Sequence, residues 1–181
     1  MKRLMFLTVF MLVTSFVWAQ SGTSPLYERS YRFQKTVANG TGAYTSGYTI
    51  GTVDSLDLSQ LGPLGTWVWV QNVAMIDSMK NDASYEMWCF TKAPATVIAN
   101  NQPFTLSYAD AKNKSAVIPF GSTVYDGTYK SMAYEPQVNT MISLAGTNLT
   151  QTHYLYYYLV IRSVKTWPVA STLSFAVTLF R

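Results

Sequence analysis

The sequence predicts an all-β protein built as a single antiparallel β-sandwich. Extended segments recur along the chain, with apolar and polar residues alternating at period two and turn residues between them. The composition agrees, because 13 Tyr, 9 Phe and 5 Trp accompany only 12% charged residues, which is typical of β-rich chains and not of disordered ones. No helical period of useful length follows residue 20. A chain of 181 residues is long enough for one such domain.

The predicted strands follow one another at the short spacing of a sandwich. The first ends near the turn dipeptide Asn39-Gly40, and a turn over residues 61–65 separates the second from the third. Residues 162–170 are expected to turn the chain before the last strand, which alternates like a half-buried strand. In order, the strands are predicted over residues 28–37, 48–59, 67–77, 84–92, 115–120, 132–144, 154–162 and 171–180.

The third strand, residues 67–77, is apolar on both faces, which predicts a place in the centre of a sheet. A polar connection over residues 79–83 indicates that it pairs with residues 84–92 as an antiparallel hairpin. Strict alternation assigns the side chains of the third strand to two faces. One face receives Trp67, Trp69, Val73 and Met75, and the other receives Val68, Val70, Ala74 and Ile76.

Residues 93–114 are predicted to form a long loop, because Pro94, Pro103 and the pair Asn100-Asn101 interrupt any regular pattern. One short helix is expected inside it. Ser107 is a suitable cap for a single helical turn, and Asp110 would lie near the N-terminal end of that turn.

The strand over residues 154–162 is predicted to be the main interaction element. Alternation divides it into a core face and a face that carries tyrosines. Tyrosine offers a large rigid contact area and a hydroxyl that can stay hydrogen-bonded, which suits a protein interface. We therefore predict an interface at Tyr154, Tyr156 and Tyr158, with Tyr157 pointing into the core. The alternative is that the second sheet of the sandwich covers the tyrosine face.

The first twenty residues have the composition of a secretory signal peptide. Lys2 and Arg3 precede fifteen largely apolar residues, and Ala19 provides a small residue at a cleavage position. Fifteen residues are short for a membrane span, which needs about twenty, so a signal peptide is favoured over the alternatives of an uncleaved anchor or a packed helix. The predicted organisation is a signal-peptide-like segment over residues 1–20 and a sandwich domain over residues 28–181, with no membrane contact after removal of the signal.

The residues available for chemistry predict no catalytic, cofactor or metal site, and therefore no enzyme. Cys89 and His153 are the only residues of their types, and both are placed in apolar strand segments, which favours structural roles. Asp54 and Asp57 are the best candidate carboxylate pair, but their spacing is more typical of a solvated turn than of a calcium loop. A formal charge of +4 without a basic run argues against a nucleic-acid partner.

Five short motifs follow one another along the chain. They are TGAYTSGYTIG at residues 41–51, WVWVQNVAMID at 67–77, YEMWCFTKAP at 85–94, TLSYADAKN at 105–113 and LYYYLVIRSVKTWPVASTLSFAVTLFR at 155–181. Their order resembles a family of tailed-phage virion proteins, small β-sandwich structural proteins described as minor capsid, decoration or head-fibre components. The resemblance implies a jelly-roll-like fold, no catalytic residues, and oligomers bound to a capsid shell in the virion.

Two main classes of function stay open on the sequence. The first is a non-enzymatic structural assembly protein, a phage capsid accessory subunit that self-associates and binds the capsid shell. The second, favoured by the signal-like segment, is an exported cell-surface or filament-forming protein that contacts a surface layer or binds carbohydrate through aromatic residues spaced two apart. For those aromatic residues, core packing or a subunit interface is favoured over a sugar platform. A hydrolase with two distant carboxylates is a third hypothesis.

Overall fold

The computed structural model describes residues 30–61, 67–78, 83–122, 124–126, 130–135, 140–144, 153–167 and 171–180. The signal-like segment predicted over residues 1–20 lies outside the described residues. The same holds for the first two residues of the predicted domain and for most of the connection predicted over residues 79–83.

The described residues are mostly β-strand, as the sequence predicts, and each predicted strand corresponds to a strand or to a pair of strands. Three short strands, Gly42–Tyr44, Val124–Asp126 and Lys165–Trp167, were not predicted, because three residues are too few to show alternation. One short helix, α1 (Tyr108–Ala111), and a 3₁₀ turn (Leu58–Leu61) complete the elements. The strands are β1 (Ser30–Asn39), β2 (Gly42–Tyr44), β3 (Thr49–Asp57), β4 (Trp67–Asp77), β5 (Ser84–Phe90), β6 (Lys114–Ser122), β7 (Val124–Asp126), β8 (Lys130–Glu135), β9 (Thr140–Ser143), β10 (Tyr154–Ile161), β11 (Lys165–Trp167) and β12 (Ser171–Phe180).

Ten of the described strands form two antiparallel sheets with the connectivity of a jelly roll, and β2 and β11 form a separate two-stranded ribbon. The large sheet has the order β1-β12-β4-β8-β7, with β9 also paired to β4, and the small sheet has the order β3-β10-β5-β6. Four pairings are nested along the chain: β1 with β12, β3 with β10, β4 with β8 and β9, and β5 with β6. This nesting arises when one long antiparallel hairpin folds over on itself to give a sandwich. The pairs β12–β4 and β10–β5 then connect the hairpin strands side by side into two sheets. The predicted all-β, jelly-roll-like sandwich is therefore confirmed.

The predicted hairpin between residues 67–77 and 84–92 is wrong. β4 is a central strand, as predicted, but its neighbours are β12 on one side and β8 and β9 on the other. β5 lies in the small sheet between β10 and β6. The chain thus crosses from one sheet to the other between β4 and β5. Two consecutive strands have one apolar face each whether they pair as a hairpin in one sheet or lie in different sheets. The local sequence pattern therefore cannot distinguish a hairpin from a crossing between sheets.

A β-bulge at Gln71 overturns the predicted faces of β4. Thr178 of β12 lies opposite Asn72, whereas Leu179 lies opposite Val70, so Gln71 has no counterpart on β12. The extra residue reverses the alternation of side chains along the strand. Val68 and Val70 are consequently buried together with Val73 and Met75, and both Trp67 and Trp69 lie on the outer face.

One hydrophobic core fills the space between the sheets. Tyr157 of β10 packs edge-on against Phe175 of β12, with 5.4 Å between ring centroids, so it lies in the core as predicted. Residues expected to turn the chain instead include β11, which pairs with β2. That two-stranded ribbon buries Trp167, whose Nε1–H donates to the carboxylate of the buried Asp77 at 3.3 Å.

Candidate functional site

The tyrosines of β10 occupy different environments, although three of them share one face. Tyr154 is 44% exposed, Tyr156 is half-buried, and Tyr158 is completely buried. The rings of Tyr154 and Tyr156 lie 6.5 Å apart. The prediction that Tyr158 is a contact residue for another molecule is therefore wrong, because the chain's own loop covers it. An interface at Tyr154 and Tyr156 stays a prediction.

The cover is the loop over residues 91–113, and Tyr158 is bonded directly to it. The Tyr158 hydroxyl donates to the carbonyl oxygen of Thr96 at 2.9 Å and accepts from the backbone N–H of Ile98 at 3.2 Å. Ile98 is buried with Phe90, Tyr158 and Val160 in a second apolar cluster, outside the main core. Burial raises the pKa of Tyr158, so the hydroxyl stays protonated and available as a donor.

Asp110 fastens the loop near its C-terminal end. Its carboxylate accepts hydrogen bonds from the backbone N–H groups of Ala95 and Thr96, at 2.8 and 3.1 Å, and from the Ser107 hydroxyl at 2.9 Å. Ser107 in turn caps α1 by accepting from the Asp110 N–H, so the predicted cap is confirmed. Hydrogen bonds from Thr96, Ala95 and Ser107 lower the pKa of Asp110 to about 2. At neutral pH the loop is therefore held by an ionised carboxylate.

A second set of hydrogen bonds attaches the middle of the loop to β3. The side-chain oxygen of Asn100 accepts from the Gly51 N–H at 2.8 Å, and the Thr49 hydroxyl donates to the Ala99 carbonyl at 2.6 Å. The Tyr44 hydroxyl, buried under the β2–β11 ribbon, also contacts Asn100, at 2.8 Å from its side-chain nitrogen. The loop is thus an integral layer over the small sheet.

Trp88 of the small sheet packs against the loop over residues 91–113. Its Nε1–H donates to Glu86 at 2.8 Å, and the same carboxylate is paired with Arg162 at 2.6 Å. The Phe104 ring packs edge-on against Trp88 at 5.0 Å, and the ammonium of Lys114 lies 5.1 Å from the Trp88 ring centroid. Burial opposes ionisation of Glu86, but the bonds from Arg162 and Trp88 outweigh it and lower its pKa. The polar and charged groups around Trp88 are thus paired with one another, so this cluster has a structural role in attaching the loop to the small sheet.

The outer face of the large sheet carries several exposed apolar side chains. Across β1, β4, β9 and β12, the charged residues are Arg32, Lys35 and Asp77. Lys35 reaches Asp54 of the small sheet and also lines a depression on this face, and Asp77 is buried between the sheets, so the charges that these four strands bring to the outer face are Arg32 and Lys35, both basic. The exposed aromatic and thioether side chains gather at one end, where Trp67 is 44% exposed and Met141 is 51% exposed. Sequence reasoning missed this surface because the Gln71 bulge is invisible in the alternation.

The carboxylates of β3 do not converge on a common site. Asp54 accepts from the Tyr157 hydroxyl at 2.7 Å and pairs with Lys35 at 3.3 Å. Burial opposes ionisation of Asp54, but the bonds from Tyr157, Ser55 and Lys35 outweigh it and lower its pKa. Asp57 accepts from the Ser59 N–H at 3.0 Å and so closes a solvated turn. Within the described ranges, no three His, Cys, Asp or Glu side chains are grouped as a metal ion would need.

The two residues predicted to be structural differ in their surroundings. Cys89 is fully buried in the main core, and burial raises the pKa of its thiol. His153 precedes β10 rather than lying within it, and its side chain is exposed, so its predicted place inside an apolar strand is wrong. Its backbone carbonyl does hold the start of the 3₁₀ turn, accepting from the Leu58 N–H at 2.6 Å. Among the described residues, no helix has the length and apolar character needed to cross a bilayer.

The fold and its surfaces define a jelly-roll β-sandwich with a filled interior and an outer face that carries few charges on β1, β4, β9 and β12. Neither the protein-family models nor the curated proteins give a match. Among solved structures, the chain is similar to Cocksfoot mottle virus, at 13% identity over 83% of this chain and 95% of that one, with a TM-score of 0.24. It is also similar to the extra small virus particle of the giant freshwater prawn Macrobrachium rosenbergii, at 13% identity over 87% and 86% of the two chains, with a TM-score of 0.24.

A third similar structure is the Tobacco streak virus coat protein dimer, at 12% identity over 82% of this chain and 85% of that one, with a TM-score of 0.21. All three come from viruses, and none from a tailed phage. At these TM-scores the superpositions carry no weight beyond the observation itself. The assignment of the jelly roll rests on the nested strand pairing of this chain.

Proposed function

We propose that this protein is a non-enzymatic structural subunit that works by assembling with copies of itself and with a capsid shell, as a decoration or head-fibre component of a virion. The observation that supports it most is the outer face of the large sheet, where β1, β4, β9 and β12 bring only the basic residues Arg32 and Lys35 alongside the exposed Trp67 and Met141. Large exposed apolar patches are uncommon on monomeric proteins and mark contact surfaces. The long antiparallel strands provide a rigid base for such a surface.

The proposal is tested by following the purified protein over a range of concentrations by sedimentation velocity and electron microscopy. A structural subunit is expected to form defined oligomers or to decorate particles added to it. A protein that stays monomeric at every concentration and binds neither particles nor a surface layer would refute the building-block function.

The second candidate function is an exported cell-surface or filament-forming subunit with adhesive or carbohydrate-binding activity. The signal-like composition of residues 1–20 favours it. Intact-mass measurement of the protein isolated from its native source separates the two functions. A chain that begins at Gln20 or Ser21 supports export, and a chain that keeps Met1 supports assembly inside the cell.

A further inference from the structure

The outer face of the large sheet has a raised end, formed by large side chains. Trp69 of β4 lies directly opposite Met141 of β9 and Phe180 of β12, so the three side chains form a row across the sheet. Trp67 packs edge-on against Trp69, with 5.9 Å between ring centroids. The raised end is defined by Trp67, Trp69, Met141 and Phe180.

The other end of the same face is hollow. Ala74 of β4 lies opposite Ala176 of β12, and these two small side chains leave a depression of about 240 Å³ between taller neighbours. Ser174 and Thr36 form part of its wall, with their hydroxyl oxygens 3.1 Å apart. The hollow end is lined by residues of β1, β4 and β12, among them Ala74, Ala176, Ile76 and the two basic residues Arg32 and Lys35.

We propose that two copies of this chain pair face to face through the large sheet, with the raised end of each copy seated in the hollow end of the other. A two-fold axis that lies between the two faces and runs across the strands near Asn72 exchanges the two ends of β4. Trp69 and Ala74 are five residues apart on β4, or about 17 Å, and Asn72 lies between them. The same rotation therefore places both raised ends over hollow ends at once.

The size of the face fits this occupant. Strands of ten residues are about 33 Å long, and four strands side by side are about 19 Å wide, which gives a face of roughly 600 Å² before side-chain relief is added. A stable protein interface buries about 800 Å² on each partner. Facing sheets pack about 10 Å apart through interdigitated side chains, which is the arrangement that a raised end and a matching hollow provide.

The charge of the face gives the pairing a distinct salt dependence. Arg32 lies opposite Thr178, which lies opposite Asn72, so each Arg32 is at the level of the axis and approaches its counterpart in the other copy. The described part of this face on β1, β4, β9 and β12 carries no acidic side chain that could pair with it. Two like charges repel less when salt screens them. Self-association should therefore strengthen as salt concentration rises, whereas an interface held by ion pairs would weaken.

The inference rests on the proposed function, because both require self-association. The variants below distinguish a failure of this pairing from a failure of the proposed function. Sedimentation velocity on the full-length protein compares Trp69→Ala, which removes the side chain that the rotation places over Ala74 of the other copy, with Ala74→Leu, which fills the hollow. Each is expected to weaken dimerisation about 30-fold, the loss typical of an interface hot spot. Ala74→Leu adds exposed apolar surface, so non-specific hydrophobic association would become stronger in this variant, whereas the proposed pairing becomes weaker. Tyr108→Ala, which removes an aromatic side chain that is 79% exposed elsewhere, is the control and should change nothing.

The double variant tests whether the two ends touch each other. Because Trp69 of each copy meets Ala74 of the other, Trp69→Ala combined with Ala74→Leu should weaken dimerisation by clearly less than the product of the single effects. Thermal melting accompanies each variant, and Ala74→Leu changes a partly exposed side chain, so a folded test protein is expected. A protein that oligomerises equally well in all variants would overturn this pairing and leave the assembly function standing. A wild-type protein that stays monomeric would overturn the pairing, and its binding to particles would then decide the function.

Discussion

The hydroxyl of Tyr158 and the backbone N–H of Ile98 form a 3.2 Å hydrogen bond that joins β10 to the loop covering it. The same hydroxyl donates to the Thr96 carbonyl, so one side chain satisfies two backbone groups of the loop. A tyrosine whose position in the sequence suggests an intermolecular contact is therefore an intramolecular fastener. Its removal should affect folding rather than assembly.

Tyr158→Phe is expected to lower the free energy of unfolding by about 1–3 kcal/mol, because Ile98 N–H and the Thr96 carbonyl lose a buried partner. Thermal or urea unfolding measures the loss, and Tyr154→Phe, at an exposed ring, is the control. Oligomeric state should not change in either variant. A variant that melts like the wild type but no longer associates would return Tyr158 to the interface.

Asp110 should make the loop sensitive to acid. Its pKa in the folded protein is about 2, below the value of about 3.9 in an unfolded chain, so the unfolded state binds a proton more readily. The stabilisation is complete above about pH 4 and is lost as pH falls toward 2. The protection of the Ala95 and Thr96 amides against hydrogen exchange, measured relative to the intrinsic exchange rate at each pH, should fall over that window in the wild type.

Asp110→Asn provides the matched comparison for the acid response. The variant should exchange those amides faster than the wild type at neutral pH and should lack the Asp110 contribution to the change between pH 4 and 2. The difference between the two proteins is the quantity to follow, because Asp54 and Glu86 also have lowered pKa values and titrate in the wild type and the variant alike. Identical pH profiles would show that Asp110 does not hold the loop.

Cys89 should behave as a core residue without reactivity. Its thiol is fully buried, and burial raises its pKa, so little thiolate is present at neutral pH. Cys89→Ser should cost about 1–3 kcal/mol of stability, because a hydroxyl would be buried in an apolar site. Labelling of the native wild type by a thiol reagent should be slow and should accelerate in denaturant. Fast labelling of the folded protein would contradict this placement.

Gly51 of β3 lies close against Val37 of β1. Its φ is 73°, and a Cβ built there would lie 2.6 Å from Cγ1 of Val37. Gly51→Ala should therefore destabilise the fold by more than the roughly 1–2 kcal/mol expected from the left-handed backbone alone. Gly47→Ala is the control, since its φ of 87° is similar and the Cβ would meet only the Arg162 guanidinium, at 3.8 Å.

The combination Gly51→Ala with Val37→Ala isolates the steric part of that cost. Removing the Val37 methyl groups opens the space that the new Cβ needs, so the double variant should lose less stability than the sum of the two single variants. Urea unfolding of all four proteins gives the coupling. If the two losses of stability simply add, the Cβ at residue 51 does not clash with Val37, because β1 and β3 can move apart at this point without cost.

Local features were predicted well from the sequence, and features that depend on pairing between distant segments were not. The Ser107 cap and the long β4 strand depend on neighbouring residues, so alternation and capping chemistry revealed them. The partner of β4 depends on how the whole chain rolls up, and a local pattern cannot distinguish a hairpin from a crossing between sheets. The burial of Tyr158 depends on a loop sixty residues earlier in the chain, which no single strand pattern reports.

The bulge at Gln71 means that the pairing of β4, and not only the kinds of residue in it, determines which side chains the outer face carries. If Gln71 were a regular member of the strand, strict alternation would send Trp67 and Trp69 inward and turn Val68 and Val70 to the outside. The same composition would then give a surface of small aliphatic side chains and an interior with two more indoles than it has room for. A single unpaired position thus keeps the bulky half of one strand available to other molecules, and deleting Gln71 would leave a regular strand with the same two faces.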